Sequence, residues 1–100
     1  MQNAFDRCYR AVPVTLENLR PTRGTVAIKC FTTSCPNCRS FDLDLDGRRS
    51  FEQTLSATYV LPWNCDDPEL GSMAVAVGVT DLPAYIVLSS DEVQPRVVRP

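Results

Sequence analysis

Residues Thr25 to Phe31, TVAIKCF, run almost without interruption in apolar and β-branched side chains. A strand covered on one face alternates apolar with polar residues, whereas a continuous run is how a strand buried on both faces reads. That requirement narrows the fold to a sheet with helices on both sides, and it makes this segment the predicted centre of the sheet. Just beyond it stands Cys35-Pro36-Asn37-Cys38, in a chain that contains no histidine.

The rest of the chain supplies elements for such a sheet. Arg10 to Val14 reads as a first strand, and Thr15 to Arg20, TLENLR, as a short helix capped by Thr15 and stopped by Pro21. After the cysteine motif, Cys38 to Leu45 and Arg48 to Ala57 are expected to be helical, with a break around Asp46-Gly47. Thr58 to Trp63 reads as a strand made irregular by Pro62. Asp67-Pro68-Glu69 is a helix start, with a cap oxygen, a proline at the first helical position and an acid near the positive helix end, and Gly78 is its expected stop. Ala84 to Leu88 and Val93 to Val98 are two more strands, joined by a turn too short for a parallel crossover and therefore antiparallel. The order β-α-β-α-β-α-β-β defines an α/β fold with a central mixed sheet flanked by helices.

At 100 residues and 44% hydrophobic content, the sequence suits a single domain, 1–100, around one core. No segment approaches the roughly 20 apolar residues that span a bilayer, and MQNAFDRCYR lacks the apolar stretch of a signal peptide. A soluble, cytoplasmic protein is therefore expected. Ten basic against twelve acidic residues give a net charge of −2 with the arginines scattered, which offers no footprint for nucleic acid or an anionic membrane.

Five cysteines, Cys8, Cys30, Cys35, Cys38 and Cys65, are an odd number and argue against a disulfide framework. Cys8, Cys30 and Cys65 read as inert thiols, the last two because each ends an apolar run. Cys35 and Cys38 differ in standing where the central strand gives way to a helix, the edge of an open α/β sheet at which ligands bind. If Cys35 caps that helix, Pro36 takes the first helical position and the free N–H groups of the first turn point at the Cys35 sulfur. This stabilises a thiolate, the nucleophile of disulfide exchange. Cys38, one turn along, can then expel a substrate from a mixed disulfide.

Metal readings fit less well. A structural zinc needs about four ligands, and the chain has neither histidine nor a second CxxC pair. Asp42-Leu43-Asp44-Leu45-Asp46-Gly47 matches the opening of an EF-hand loop, but its twelfth position is Gln53 and its eighth is Arg49, so a solvated acidic turn is expected and no metal.

FTTSCPNCR, followed by GVTDLPAY from Gly78 to Tyr85, resembles the thioredoxin family, with a CxxC at a strand-to-helix junction and a Gly-Val-x-x-Leu-Pro pattern entering a later strand. The resemblance covers most of the chain. It implies a thioredoxin-like dithiol-disulfide oxidoreductase that reduces protein disulfides without a bound cofactor, supplied with electrons by a disulfide reductase or by glutathione. Cys35 would attack and Cys38 resolve. Pro83 would be a cis-proline facing the motif, the Leu82 backbone would pair with an extended substrate, and Pro36, Asn37 and Lys29 would modulate the site. Trp63 ends the wrong strand for an active-site aromatic and is expected in the core.

Departures from the family pattern are informative. Ser34 replaces the tryptophan of WCGPC, and proline directly after the first cysteine leans toward glutaredoxins, although no Gly-Gly follows the Pro83 strand. Lys29 stands where thioredoxins place a buried acid, and could stabilise a thiolate, pair with a carboxylate or extend to water. A redox-inert interaction module of the same fold is the alternative from another class. Finally, the covering C-terminal helix of thioredoxins is missing after Val98, which would leave Tyr85, Val87, Val93 and Val97 on an open apolar side unless Arg48–Ala57 covers it. Weak self-association, or a dedicated partner docking on that side away from Cys35, is the expected consequence.

Overall fold

The structure, a computed structural model, describes residues 15–100; the strand expected at Arg10 to Val14 and Cys8 lie outside the described residues. Helix α1 (Leu16–Leu19) starts where the Thr15 hydroxyl accepts the Asn18 N–H, at 3.2 Å, and ends before Pro21. Strand β1 (Thr25–Phe31) follows, then α2 (Pro36–Leu43), α3 (Leu45–Thr54), β2 (Tyr59–Asn64), α4 (Pro68–Ala76), β3 (Ala84–Ser89) and β4 (Arg96–Val98). The sheet order is β2-β1-β3-β4, with β1 parallel to β2 and antiparallel to β3, and β4 antiparallel to β3. This is the mixed sheet flanked by helices that the sequence predicts.

Alternation divides the interior strands between two cores. Ile28 and Cys30 of β1 share one face with Ala84, Ile86 and Leu88 of β3; Trp63, the α4 residue Ala74 and Val79 complete that core, and Leu16 and Leu19 of α1 and Met73 of α4 pack against it. Trp63 is a core residue as expected, its indole N–H donating to the Leu70 carbonyl at 2.9 Å. On the opposite face Lys29 pairs in register with Tyr85, and Ala27 with Val87. Phe41 of α2 and Phe51 of α3 stack against Tyr85 at ring separations of 6.2 and 5.2 Å, and the Tyr85 hydroxyl donates to Glu52 at 2.5 Å. Burial and that bond to Glu52 push the Tyr85 hydroxyl far above its ordinary value.

Several boundaries differ from the sequence reading. The helical segment after Cys38 breaks at Asp44, two residues before the Asp46-Gly47 pair. Asp44 closes α2 by donating its N–H to the Ser40 carbonyl, and its carboxylate caps α3 by accepting the Gly47 N–H at 3.1 Å. Gly47 is therefore not the breaker; it lies in the first turn of α3, where a Cβ would collide with the Asp44 carboxylate. Pro62 does not disturb β2, which continues to Asn64, because β1 is its partner among the described strands and a missing donor on the other edge costs no ladder bond. The last strand is shorter than Val93 to Val98, and Val93 is exposed outside it.

The open apolar side is corrected as well. Tyr85 and Val87 are buried, Phe51 and Glu52 of α3, within the Arg48–Ala57 segment, pack onto Tyr85, and Val97 packs against the opposite core. Of the four residues behind the self-association expectation, Tyr85, Val87 and Val97 are thus packed within the protein and Val93 is exposed. Among the described residues no helix is long and apolar enough to cross a membrane.

Helix α4 begins as predicted, with the Asp67 carboxylate accepting the N–H groups of Glu69 and Leu70 at 2.9 and 3.3 Å, and Gly78 follows its end with φ +105°. Its close seating depends on Gly71, where a Cβ would stand 2.8 Å from the Cys65 carbonyl oxygen. Backbone cannot give way as a side-chain tip can, so Gly71→Ala is expected to lower stability by about 1–3 kcal/mol in urea unfolding despite alanine's better helix propensity. A stabilised variant would show that α4 can shift away from β2 freely.

Candidate functional site

The site forms where β1 ends, and three local features fix it. Cys65, just after β2, donates its N–H to the Phe31 carbonyl at 2.8 Å and so extends the pairing of the two parallel strands. The next residue, Asp66, accepts both the N–H and the hydroxyl of Thr33, at 3.0 and 2.5 Å. These two bonds hold the Asp66 carboxyl below its usual range. The loop leading to Cys35 is thereby tied to the neighbouring connection, and α2 starts in a fixed place. Sequence reasoning missed Asp66, since nothing local links two residues so far apart in the chain.

Cys35 is the N-cap of α2, with extended backbone, and Pro36 occupies the first turn. The Cys35 sulfur accepts the Cys38 N–H at 3.1 Å, so one orphan donor of the first turn is directed at that sulfur, where the spacing predicts such donors. Cys35 and Cys38 are joined in a disulfide, their Cα atoms 5.3 Å apart. Cys38 is buried and Cys35 half-exposed, which lets an incoming sulfur reach Cys35 first.

The Leu82–Pro83 peptide bond is cis, as the resemblance implies. Leu82 and Pro83 share an open cleft of about 810 Å³ with Asn37, Phe41 and the Asp81–Arg99 ion pair. Asn37 therefore faces the cis-proline loop, while Pro36 is exposed at the helix start. The cysteines themselves line a second, smaller pocket of about 240 Å³ on the other side of the α2 start, together with Phe31, Thr33, Arg39 and Asp42.

Lys29 does not extend to water. Its ammonium pairs with the Asp42 carboxylate and stands 5.8 Å from the centre of the Phe41 ring. Arg48 of α3 approaches the same carboxylate at 3.8 Å. Asp42 and Asp44, two members of the acidic turn, are thus engaged in an ion pair and a helix cap. Asp42 is the second site residue that the sequence reading did not assign; a heptad-like view of α2, which sets it one turn beyond Cys38, is the signal that could have found it.

Cys30 and Cys65 are free thiols. Burial, reinforced by the neighbouring Cys65, pushes the Cys30 thiol up to about 12, and burial raises Cys65 as well. Both are poor nucleophiles at neutral pH, since the thiolate is the reactive form. Among the described residues no three potential metal ligands converge.

Known structures with similar architecture agree with this description. The fold is similar to the J-Trx1 fragment of ERdj5, with a TM-score of 0.54 and 12% identity over 84% of this chain and 38% of that one. It is similar also to thioredoxin f2 of Chlamydomonas reinhardtii, with a TM-score of 0.52 and 17% identity over 80% of this chain and 72% of that one. Thioredoxin f from spinach chloroplast, in its short form, gives 0.52 and 16% over the same shares. No protein-family model and no curated protein matches the sequence. At identities this low the likeness establishes the fold, and the chain is a thioredoxin-fold protein carrying a CxxC disulfide at the first turn of a helix. That combination supports thiol-disulfide oxidoreductase chemistry in general.

The free thiols make one pH dependence specific. Cys30 has an ordinary value of 9.0 when exposed and about 12 when folded. Below pH 9 both states hold the proton and stability is unaffected; above it the unfolded chain ionises first. Stability should then fall by up to roughly 1.4 kcal/mol per pH unit from this group between pH 9 and 12. Urea unfolding of Cys30→Val across that range should show a shallower decline than the unsubstituted protein, and an identical slope would remove Cys30 as the cause.

Proposed function

We propose that this protein is a thiol-disulfide oxidoreductase that reduces disulfides in protein substrates through Cys35 and Cys38. The observation that carries the reading is the position of Cys35 as the cap of α2, where its sulfur receives the first-turn N–H of Cys38. A helix N-terminus favours the thiolate, and only the thiolate attacks a disulfide. In the reduced enzyme Cys35 attacks one substrate sulfur, the substrate S–S bond breaks, and its second sulfur leaves. Cys38 then attacks Cys35 in the mixed disulfide and releases the reduced substrate.

The open cleft at Asn37, Leu82 and Pro83 is the proposed seat of an extended substrate segment, with the Leu82 backbone as its pairing edge. Reduction of the Cys35–Cys38 disulfide by a disulfide reductase or by glutathione completes the cycle, and the protein needs no bound cofactor for it. A cytoplasmic setting belongs to the same reading; the unpaired Cys30 and Cys65 support it, because disulfides accumulate in oxidising compartments.

The two cysteines have unequal roles, which a pair of variants separates. Cys35→Ser should abolish reduction of insulin disulfides by dithiothreitol-driven turnover. Cys38→Ser should accumulate mixed disulfides through Cys35, visible as adducts under non-reducing electrophoresis. Equal trapping by Cys35→Ser would reverse the assignment, and wild-type protein inert toward insulin would favour the interaction-module reading. Turnover only with glutathione and hydroxyethyl disulfide would identify glutaredoxin chemistry instead.

A further inference from the structure

The proposed reaction, on which this inference rests, leaves one proton unassigned: Cys38 is buried and must lose its thiol proton before it can attack Cys35. Asp42 is placed to take it. It lies one helical turn beyond Cys38 on the same face of α2 and lines the pocket that holds both cysteines. Its carboxylate is anchored from behind, because Lys29 and Arg48 both meet the same oxygen, Oδ1. Among the described residues that leaves Oδ2 for another partner.

The groups packed around this carboxylate do not compete for the proton. Lys29 of β1, Arg39 of α2 and Arg48 of α3 are cations. Tyr85 of β3 keeps its own proton, and its hydroxyl donates a hydrogen bond to the Glu52 carboxylate of α3. Asp42 is the one carboxylate among the residues that line the cysteine pocket.

We propose that Asp42 is the proton acceptor for the resolving cysteine, held in place by Lys29. In the mixed disulfide on Cys35, the S–H bond of Cys38 breaks as its proton passes to Asp42, and the Cys38 sulfur forms a bond to the Cys35 sulfur. The bond between Cys35 and the substrate sulfur breaks, and that sulfur leaves with the electron pair as a thiolate. The protein is oxidised by two electrons and the substrate reduced by the same two.

Electrostatics alone and proton transfer make opposite predictions for Asp42→Asn. Removing a negative charge beside Cys38 favours its thiolate, so a purely electrostatic carboxylate would make the variant resolve faster at neutral pH. A proton acceptor makes it slower. The test follows release of thionitrobenzoate after the reduced protein attacks its symmetric disulfide, with Cys35 attack measured separately in a Cys38→Ser background. At pH 6–7 Asp42→Asn should slow the intramolecular release by about tenfold or more, within the usual range for losing a general base, and leave the Cys35 attack within about twofold. Its release rate should fall about tenfold per pH unit below neutrality while the wild type levels off, and Asp42→Glu should recover part of the loss. Release that is unchanged or faster in Asp42→Asn overturns the role of Asp42 while leaving the oxidoreductase intact. A wild-type protein that forms the Cys35 adduct but never releases the second thiol defeats the oxidoreductase reading itself.

Discussion

Strand β1 is paired along both edges, and the site depends on that pairing. Parallel hydrogen bonding to β2 and antiparallel bonding to β3 leave the strand no freedom to slide, because a one-residue slip would move Ile28 and Cys30 out of one core and put Lys29 into it. Its end is therefore fixed relative to both neighbours. The Cys65 N–H continues the parallel ladder to Phe31, and Asp66 fastens Thr33 in the loop beyond. The Cys35 sulfur thus reaches the start of α2 with little left to chance, which is the preorganisation that the proposed attacking role of Cys35 needs.

The same strand delivers the charge on the other face. Lys29 is directed toward α2 rather than into the Ile28–Cys30 core by simple alternation, and α2 answers with Asp42. The ion pair is mostly shielded on the lysine side, at 14% exposure, and open on the aspartate side, at 42%. An unpaired lysine at such depth would be costly, so the pair serves the fold whatever its part in the proposed chemistry. Where the thioredoxin resemblance leads one to look for an acid on the central strand, this chain has the base there and the acid on the helix.

Much of this was legible because it depends on local chemistry. Thr25–Phe31 showed a two-sided strand and Asp67-Pro68-Glu69 a helix start, whereas the cis Leu82–Pro83 bond was an implication of the family resemblance and not of local chemistry. The cysteine spacing placed Cys35 at a cap. The failures have a common cause in side chains that act over distance or in competition between neighbours. The Asp46-Gly47 pair resembled a breaker, yet Asp44 captured the Gly47 N–H and made the break earlier. For Tyr85 and Val87 the sequence leaves open whether Arg48–Ala57 or another molecule covers them, because nothing in α3 announces that Phe51 and Glu52 fold onto Tyr85. Asp66 and Thr33 meet from connections on two different strands, a relation that only the parallel register creates.

The proposed chemistry requires the Cys35–Cys38 disulfide to be a working redox couple while Cys30 and Cys65 stay apart from it. Equilibration of the folded protein in a series of glutathione redox buffers, followed by acid quenching, alkylation after unfolding and mass mapping of each cysteine, measures this directly. The expected result is one reversible two-electron transition confined to Cys35 and Cys38, with Cys30 and Cys65 recovered as thiols throughout. A pair that stays oxidised at every buffer ratio, or a transition that involves Cys30 or Cys65 instead, would contradict it.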